Sequence, residues 1–245
     1  MRSAAKRLFS TSLCSISTFT SVVLATLLLA GCAVTPATDA PAAAALDPVS
    51  NPDWAQDMAR FAAEDAAMPP PAHPVVFTGS SSVRLWTTLA ADFPGVPVLN
   101  RGFGGSHVRD AVWHADEVVV RYRPRRVLIY AGDNDVFDGR TPQQVLSDFQ
   151  AFVARVHRDL PRTPIAFIAI KPSPSRAHLL AVQREANALV NAYADREPLV
   201  DYIDVFTPML DANGQPRAEL FVDDRLHLNR DGYALWRGVI APYLR

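Results

Sequence analysis

Cysteine is almost missing from this chain: the two present, Cys14 and Cys32, both fall within the first 32 of 245 residues. The rest of the chain has no thiol, which excludes a structural disulfide, a thiolate nucleophile and a cysteine-bound metal there. Lysine is as scarce, since Lys171 is the only one beyond Lys6 and the other basic residues of the body are arginines. Neither sign of charge dominates, with 24 basic against 25 acidic residues. Residues 1–31 hold Arg2, Lys6 and Arg7 and no acid, so the remainder carries about −4. A mildly acidic body offers nothing electrostatic to draw nucleic acid, and none is expected as a partner. No internal repeat is visible.

Long apolar runs are also few. The one near the N-terminus, Ser21 to Ala30, follows a short basic head and precedes Gly31-Cys32. Basic head, apolar middle and small residues before a cut are the parts of an export signal. Leu29-Ala30-Gly31-Cys32 resembles a bacterial lipobox, which implies lipidation of Cys32 after removal of residues 1–31. The alternative is an uncleaved anchor over residues 13–30, but Ser15, Ser17, Thr18, Thr20 and Ser21 dilute that stretch, and it barely reaches the ~18–20 apolar residues of a span. Ala33 stands where an aspartate would signal inner-membrane retention, so the expectation is a lipid anchor in the outer membrane of a bacterial envelope, facing the periplasm. Residues 32–52, with Pro36, Pro41, Pro48 and Pro52, cannot build a core and read as a linker. The folded domain is expected over 53–245.

In that domain short β-branched or aromatic runs alternate with helical patterns. Strands are expected at Val75–Thr78, Val96–Leu99, Val127–Ala131, Ile165–Ile170 and Val200–Val205, apolar on both faces and therefore parallel and covered by helices. Helices are expected at Trp54–Glu64, Ser82–Asp92, Val108–Val120, Gln143–Leu160, Arg176–Asp195 and Asp231–Leu244, the first packing on the outside. The series predicts an α/β fold, a three-layer α/β/α sandwich on a five-stranded, doubly wound, flavodoxin-like parallel sheet.

In such sheets function collects beyond the carboxyl ends of the strands. Four segments lie there. Gly79-Ser80-Ser81-Ser82 can expose a serine at a strand-to-helix turn, although serines also simply cap helices. Asn100 to His107 contains three glycines, which let N–H groups approach a ligand or merely form a turn. Gly132-Asp133-Asn134-Asp135 offers an amide donor between two acids. Asp223-Asp224-Arg225-Leu226-His227 puts a carboxylate three residues before a histidine, a spacing suited to a general base and its orienting group.

The order of these four segments resembles the SGNH/GDSL hydrolase superfamily, named for Ser, Gly, Asn and His in four blocks, over the whole body from about Pro74. The resemblance implies a carboxylic ester hydrolase with Ser81 as nucleophile and Asp224 and His227 as its partners. It implies an oxyanion hole from the Ser81 and Gly105 N–H groups and the Asn134 side chain. It also implies no metal and no organic cofactor. One departure is Ser80, where the first motif usually has Asp. A Gly-Ser-Ser form followed by Arg and Trp, here Arg84 and Trp86, marks a subgroup, and it leaves Ser80 and Ser82 as rival nucleophiles and Asp223 as a rival to Asp224. Likeness to acetylhydrolases of this superfamily implies a short acyl group on an envelope glycan or lipid ester. His107, Arg109 and the Lys171–Ser175 loop are candidates for the mouth of the site, though each also reads as an ordinary loop or surface residue. Two other classes stand beside the hydrolase: an inactive envelope lipoprotein that binds a glycan or protein, and a metal-dependent hydrolase using Asp133, Asp135, Asp223 and His227. The latter lacks ligand spacing.

Overall fold

The computed structural model describes residues 54–244. The leader, Cys32 and the linker expected over 32–52 lie outside the described residues.

Five strands, β1 (Val75–Gly79), β2 (Val98–Gly102), β3 (Arg126–Tyr130), β4 (Ile165–Ile168) and β5 (Val200–Ile203), pair in parallel in the order β2-β1-β3-β4-β5. Around them run α1 (Ala55–Ala67), α2 (Ser81–Arg84), α3 (Leu89–Asp92), α4 (Val108–Trp113), α5 (Ala115–Val118), α6 (Asp133–Phe137), α7 (Pro142–Asp159), α8 (Leu180–Ala194) and α9 (Arg230–Ile240). This is the expected three-layer α/β/α sandwich.

Period-2 alternation sorts the sheet's side chains between two cores. Val76, Val127, Ile129, Ile165 and Phe167 face α1, α4, α5, α7 and α8. Val75, Phe77, Leu128, Tyr130 and Ile168 face α2, α3 and α9. Helix α7 shows how the sequence builds a cover. Thr141 and Gln144 form a capping box, Pro142 occupies the first turn, and Val145, Phe149, Phe152 and Val156 recur at helical spacing on the buried face. On the other face Trp86 stacks on Tyr233 with centroids 5.1 Å apart, and Trp236 lies 4.9 Å from Tyr130. Both tryptophans are fully buried, so truncating either to Ala should cost about 3–5 kcal/mol.

Several boundaries differ from expectation: β5 stops at Ile203, the helix expected over Val108–Val120 is divided into α4 and α5, α8 begins only at Leu180, α9 ends at Ile240, and three further differences have a visible cause. Strand β2 begins at Val98 and runs on through Asn100 and Arg101 into the segment read as a loop. Pro97 has no N–H to give a ladder, and β2 is an edge strand, where Arg101 is buried against Asp65 and Tyr122. The helix expected over Ser82–Asp92 is two short pieces: past Arg84 the Val83 carbonyl accepts from Trp86 N–H at 3.0 Å and from Asn100 Nδ2 at 2.7 Å, a tight turn in place of the next helical bond. Likewise β4 stops at Ile168, after which Asn187 replaces the ladder, accepting from Ile170 N–H at 2.8 Å and donating to Ile170 O at 2.9 Å.

Candidate active site

The site grows from the carboxyl ends of β1, β2 and β3 and from the segment before α9. Gly79 ends β1 at φ 110°, and a β-carbon there would lie 2.0 Å from the Tyr130 carbonyl. Only glycine allows this turn beside β3. Ser80 follows in extended geometry, its N–H bonded to Tyr130 O at 2.8 Å, so Ser81 becomes the first residue of α2. Asn100 holds α2 against β2, and the Tyr233 hydroxyl donates to Ser82 O at 3.0 Å, tying α9 to the same turn. Ser80 and Ser82 are buried at 2% and 1% exposure. Of the three serines, Ser81 is the one whose hydroxyl meets a histidine.

That histidine is His227. Its Nε2 stands 2.9 Å from Ser81 Oγ, and its Nδ1 stands 2.6 Å from Asp224 Oδ2. The turn that presents it passes through Arg225 at φ 58° and is closed by Arg225 N–H on Val222 O. Asp224 Oδ1 accepts from the N–H groups of Leu226 and His227 at 2.8 and 2.9 Å. Burial is the largest single influence and disfavours the ionised Asp224, but these two N–H groups and the His227 ring together outweigh it and hold the carboxyl at about 2. An ionised carboxylate only accepts, so the imidazole proton sits on Nδ1 and Nε2 is left to accept from Ser81. Asp223 makes none of these bonds.

Opposite lies Asn134, the second residue of α6. Its Nδ2 donates to Ser106 O at 3.1 Å, and its Oδ1 accepts from both terminal nitrogens of Arg176 at 3.2 Å. Gly105, at φ 81°, faces the same space, with Trp54 across from it. Neither the Ser81 nor the Gly105 N–H donates to another described residue. The cleft between them has a volume of about 400 Å³ and is lined by Asp57, Ser81, Arg84, Gly104, Gly105, Asn134, Leu226 and His227.

Beneath Asn134 is a buried ion cluster. Lys171 Nζ lies 2.9 Å from Asp133 Oδ2 and 3.2 Å from the Tyr130 hydroxyl, while Arg176 reaches Asp133 Oδ1 at 3.0 Å. Burial opposes the Asp133 charge, yet the two cations keep its carboxyl below the ordinary carboxylate range. Burial pushes the Tyr130 phenol up to about 12. Two cations on one carboxylate leave a net positive charge behind the amide of Asn134.

The structure thus gathers Ser81, Gly105, Asn134, Asp224 and His227 around one cleft, and it relocates the candidates for the mouth. Lys171 and Ser173 are buried at 1% and 0% exposure rather than lying on a surface loop. His107 is turned to Asp138 at 2.7 Å, and Arg109 lies on α4, outside the lining of the cleft. Among the described residues no three His, Cys, Asp or Glu side chains are grouped to hold a metal ion. Asp133 and His227 are committed to the partners above, and Asp135 accepts from Val108 N–H at 3.1 Å. Sequence reasoning missed Trp54, Asp57 and Arg176. The first two come from the start of α1 and the residue that caps it, a helix expected merely to pack on the outside, and the third looked like one more arginine of a helical stretch.

Residues 71–235 match the GDSL-like lipase/acylhydrolase family. The chain belongs to that family. No curated protein matches it. Among solved structures it is similar to a GDSL-like lipase from Bacteroides thetaiotaomicron, with 20% identity, a TM-score of 0.65 and coverage of 76% of this chain and 96% of that one. It is also similar to a carbohydrate esterase of family 3 from Talaromyces cellulolyticus, with 15% identity, TM-score 0.55 and coverage of 71% and 96%. An acetylxylan esterase from Geobacillus stearothermophilus aligns at 13% identity, TM-score 0.57, with the same coverage. At such identities the likeness is one of fold. The family membership makes this GDSL-like protein a hydrolase acting on esters, and α1 with its N-cap, which supply Asp57 and Trp54, precedes the matched residues.

Proposed function

We propose that this GDSL-like hydrolase cleaves short-acyl esters, of the acetyl type, by two acyl transfers on Ser81. The observation that carries the reading is the continuous chain Ser81 Oγ, His227 Nε2, His227 Nδ1, Asp224 Oδ2, with spacings of 2.9 and 2.6 Å. As Ser81 attacks the ester carbonyl, its proton passes to His227 Nε2, and Asp224 stabilises the imidazolium that forms. The carbonyl oxygen, now negative, meets the Ser81 and Gly105 N–H groups and Asn134 Nδ2. The tetrahedral intermediate collapses, His227 returns the proton to the departing alcohol, and an acyl-Ser81 ester remains. Water, deprotonated by His227, attacks that ester, and the acid and free Ser81 are released.

A short acyl group is favoured by the lining. Leu226 is its one aliphatic side chain, with Asp57, Arg84 and two glycines around it and the Trp54 ring closing on Gly105. Such walls give a long hydrocarbon chain little apolar area to bury.

The lipobox-like Leu29-Ala30-Gly31-Cys32 supports a lipid anchor on Cys32 and an envelope address, with an acylated glycan or lipid as substrate. Among the described residues no helix is long and apolar enough to cross a membrane. Metabolic labelling with palmitate tests the anchor, which is refuted if the label enters the Cys32→Ser protein equally.

The catalytic reading is tested by a fluorophosphonate with peptide mapping, alongside p-nitrophenyl acetate, butyrate and octanoate. The expected result is an adduct on Ser81, fastest turnover of the acetate and loss of both signals in Ser81→Ala. An adduct on Ser80 or Ser82 would refute the assignment, and faster octanoate hydrolysis would refute the short-acyl preference.

A further inference from the structure

The cleft beside Ser81 contains a cation that the mechanism above does not use. Arg84 lies one turn beyond Ser81 on α2, is solvent-exposed, and lines the cleft together with Ser81 and His227. Its guanidinium has no carboxylate within 4 Å and no hydrogen-bond acceptor among the described residues. The neighbouring acids are already occupied. Asp57, across the cleft, is 2.6 Å from Arg60, and Glu64 is 2.9 Å from the same arginine and 3.6 Å from Arg101.

The absence of a side chain at Gly104 leaves room for the guanidinium, since a β-carbon there would stand 2.6 Å from Nε, 3.0 Å from Nη2 and 3.2 Å from Cζ. A larger residue at 104 would make the Arg84 side chain shift. Arg84 also borders a second recess, lined by Arg60, Glu64, Thr87 and Asn100 among others. A planar fork of donors, unpaired beside a nucleophile, is matched to a planar or tetrahedral oxyanion.

Resting on the reading of Ser81 as an ester-cleaving nucleophile, we propose that Arg84 selects esters carrying an anionic group, a carboxylate or a phosphate, a few ångströms from the scissile bond. The substrate class is then an acylated acidic sugar or an acylated phosphate-bearing alcohol rather than a neutral ester. Asp57 and Glu64, which border the same path, are both paired with Arg60 and so oppose an approaching anion less than free carboxylates would.

Two matched pairs of small esters test this and separate the two anions: an O-acetyl methyl uronoside against the O-acetyl methyl hexoside, and acetylglycerol 3-phosphate against monoacetylglycerol. The wild-type protein should prefer the anionic member of at least one pair by about 10- to 100-fold in kcat/KM, the range of a hydrogen bond to a charged group. That preference should weaken as salt is raised. In Arg84→Gln the ratio should fall to about one, with fluorophosphonate labelling of Ser81 reporting that the variant is folded. A preference confined to one pair identifies the anion. Ratios near one in the wild-type protein, or ratios unchanged in Arg84→Gln, overturn the proposal while leaving ester hydrolysis intact. Absence of any turnover together with absence of the Ser81 adduct overturns the hydrolase reading, and this inference with it.

Discussion

Arg176 presents both terminal guanidinium nitrogens to Asn134 Oδ1, each at 3.2 Å. A guanidinium only donates, so this contact fixes which end of the amide is oxygen. The nitrogen end is thereby turned toward Ser106 O and the cleft, where one of its two hydrogens is left for a substrate oxygen. Arg176 is itself buried, held by Asp133, and lies 4.3 Å from the Phe137 ring. It is a positioning residue for the proposed oxyanion donor.

Asn134→Ala should therefore lower kcat by about 10²–10³, the cost of losing one such donor. Arg176→Gln should lower kcat by less, with KM little changed, because the donor remains but its orientation is freed. The double variant should be no slower than Asn134→Ala alone, since Arg176 acts through the amide that has been removed. Steady-state kinetics on an acetyl ester decides it, and additive losses would show that Arg176 serves the reaction by another route.

The cluster that anchors Arg176 should dominate local stability. Asp133 is buried with Lys171 and Arg176, and both cations depend on its charge. Removing one partner of a buried ion pair typically costs about 3–5 kcal/mol because the remaining charge is stranded. Asp133→Asn strands two, so its unfolding free energy from urea titration should fall by an amount in that range or above. A change under about 1 kcal/mol, the level of an exposed pair, would mean that water reaches the cluster.

How far the sequence carries can be seen in these residues. The five strands were legible because each is a short β-branched run, and the residues beyond them carried the four-block resemblance. What stayed hidden had no periodic or motif signal. Asn100 and Arg101 read as loop because polar residues in a strand contradict its apolar pattern, and only their partners Val83 O and Asp65 make the strand tolerable there. Lys171, the body's only lysine, read as part of a surface loop, and its burial follows from Asp133 arriving 38 residues earlier in sequence. Trp54 and Asp57 reach the cleft from a helix whose buried anchor, Phe61, reveals that α1 packs but not where its far end points.

The Asp224 carboxyl gives a prediction with a pH sign. Its folded value of about 2 lies below the ordinary 3.8. A depressed carboxylate contributes stability that is present above the ordinary value and is lost as pH falls from there toward 2. Asp224 is about half exposed, so the stability change is small and activity is the sharper readout. The carboxylate stays charged from pH 4 upward, so its titration makes no step in kcat/KM over that range. Asp224→Asn should lower kcat by about 10³–10⁴, because the amide can present its N–H to Nδ1 and reverse the imidazole tautomer. A loss under tenfold would show that His227 is oriented without it.

Asp135 carries the opposite sign. It is fully buried, and burial above all, with Asp148 adding to it, raises its carboxyl to about 6 against the pull of His107 and the Val108 N–H. Between pH 3.8 and 6 the folded protein keeps a proton that the unfolded chain has shed. Stability is therefore greatest below the ordinary value, declines as pH rises through this window, and is level above it. A shift of about two units corresponds to roughly 3 kcal/mol across the window, as an order of magnitude. Asp135→Asn keeps an acceptor for Val108 N–H but has no charge to desolvate. Its Tm should match or exceed the wild-type value at pH 7.5, and its fall between pH 4 and pH 6.5 should be shallower. Parallel Tm profiles for the two proteins would mean that Asp135 ionises in the folded state as easily as in the unfolded one, and that burial here is compensated by charges outside those named.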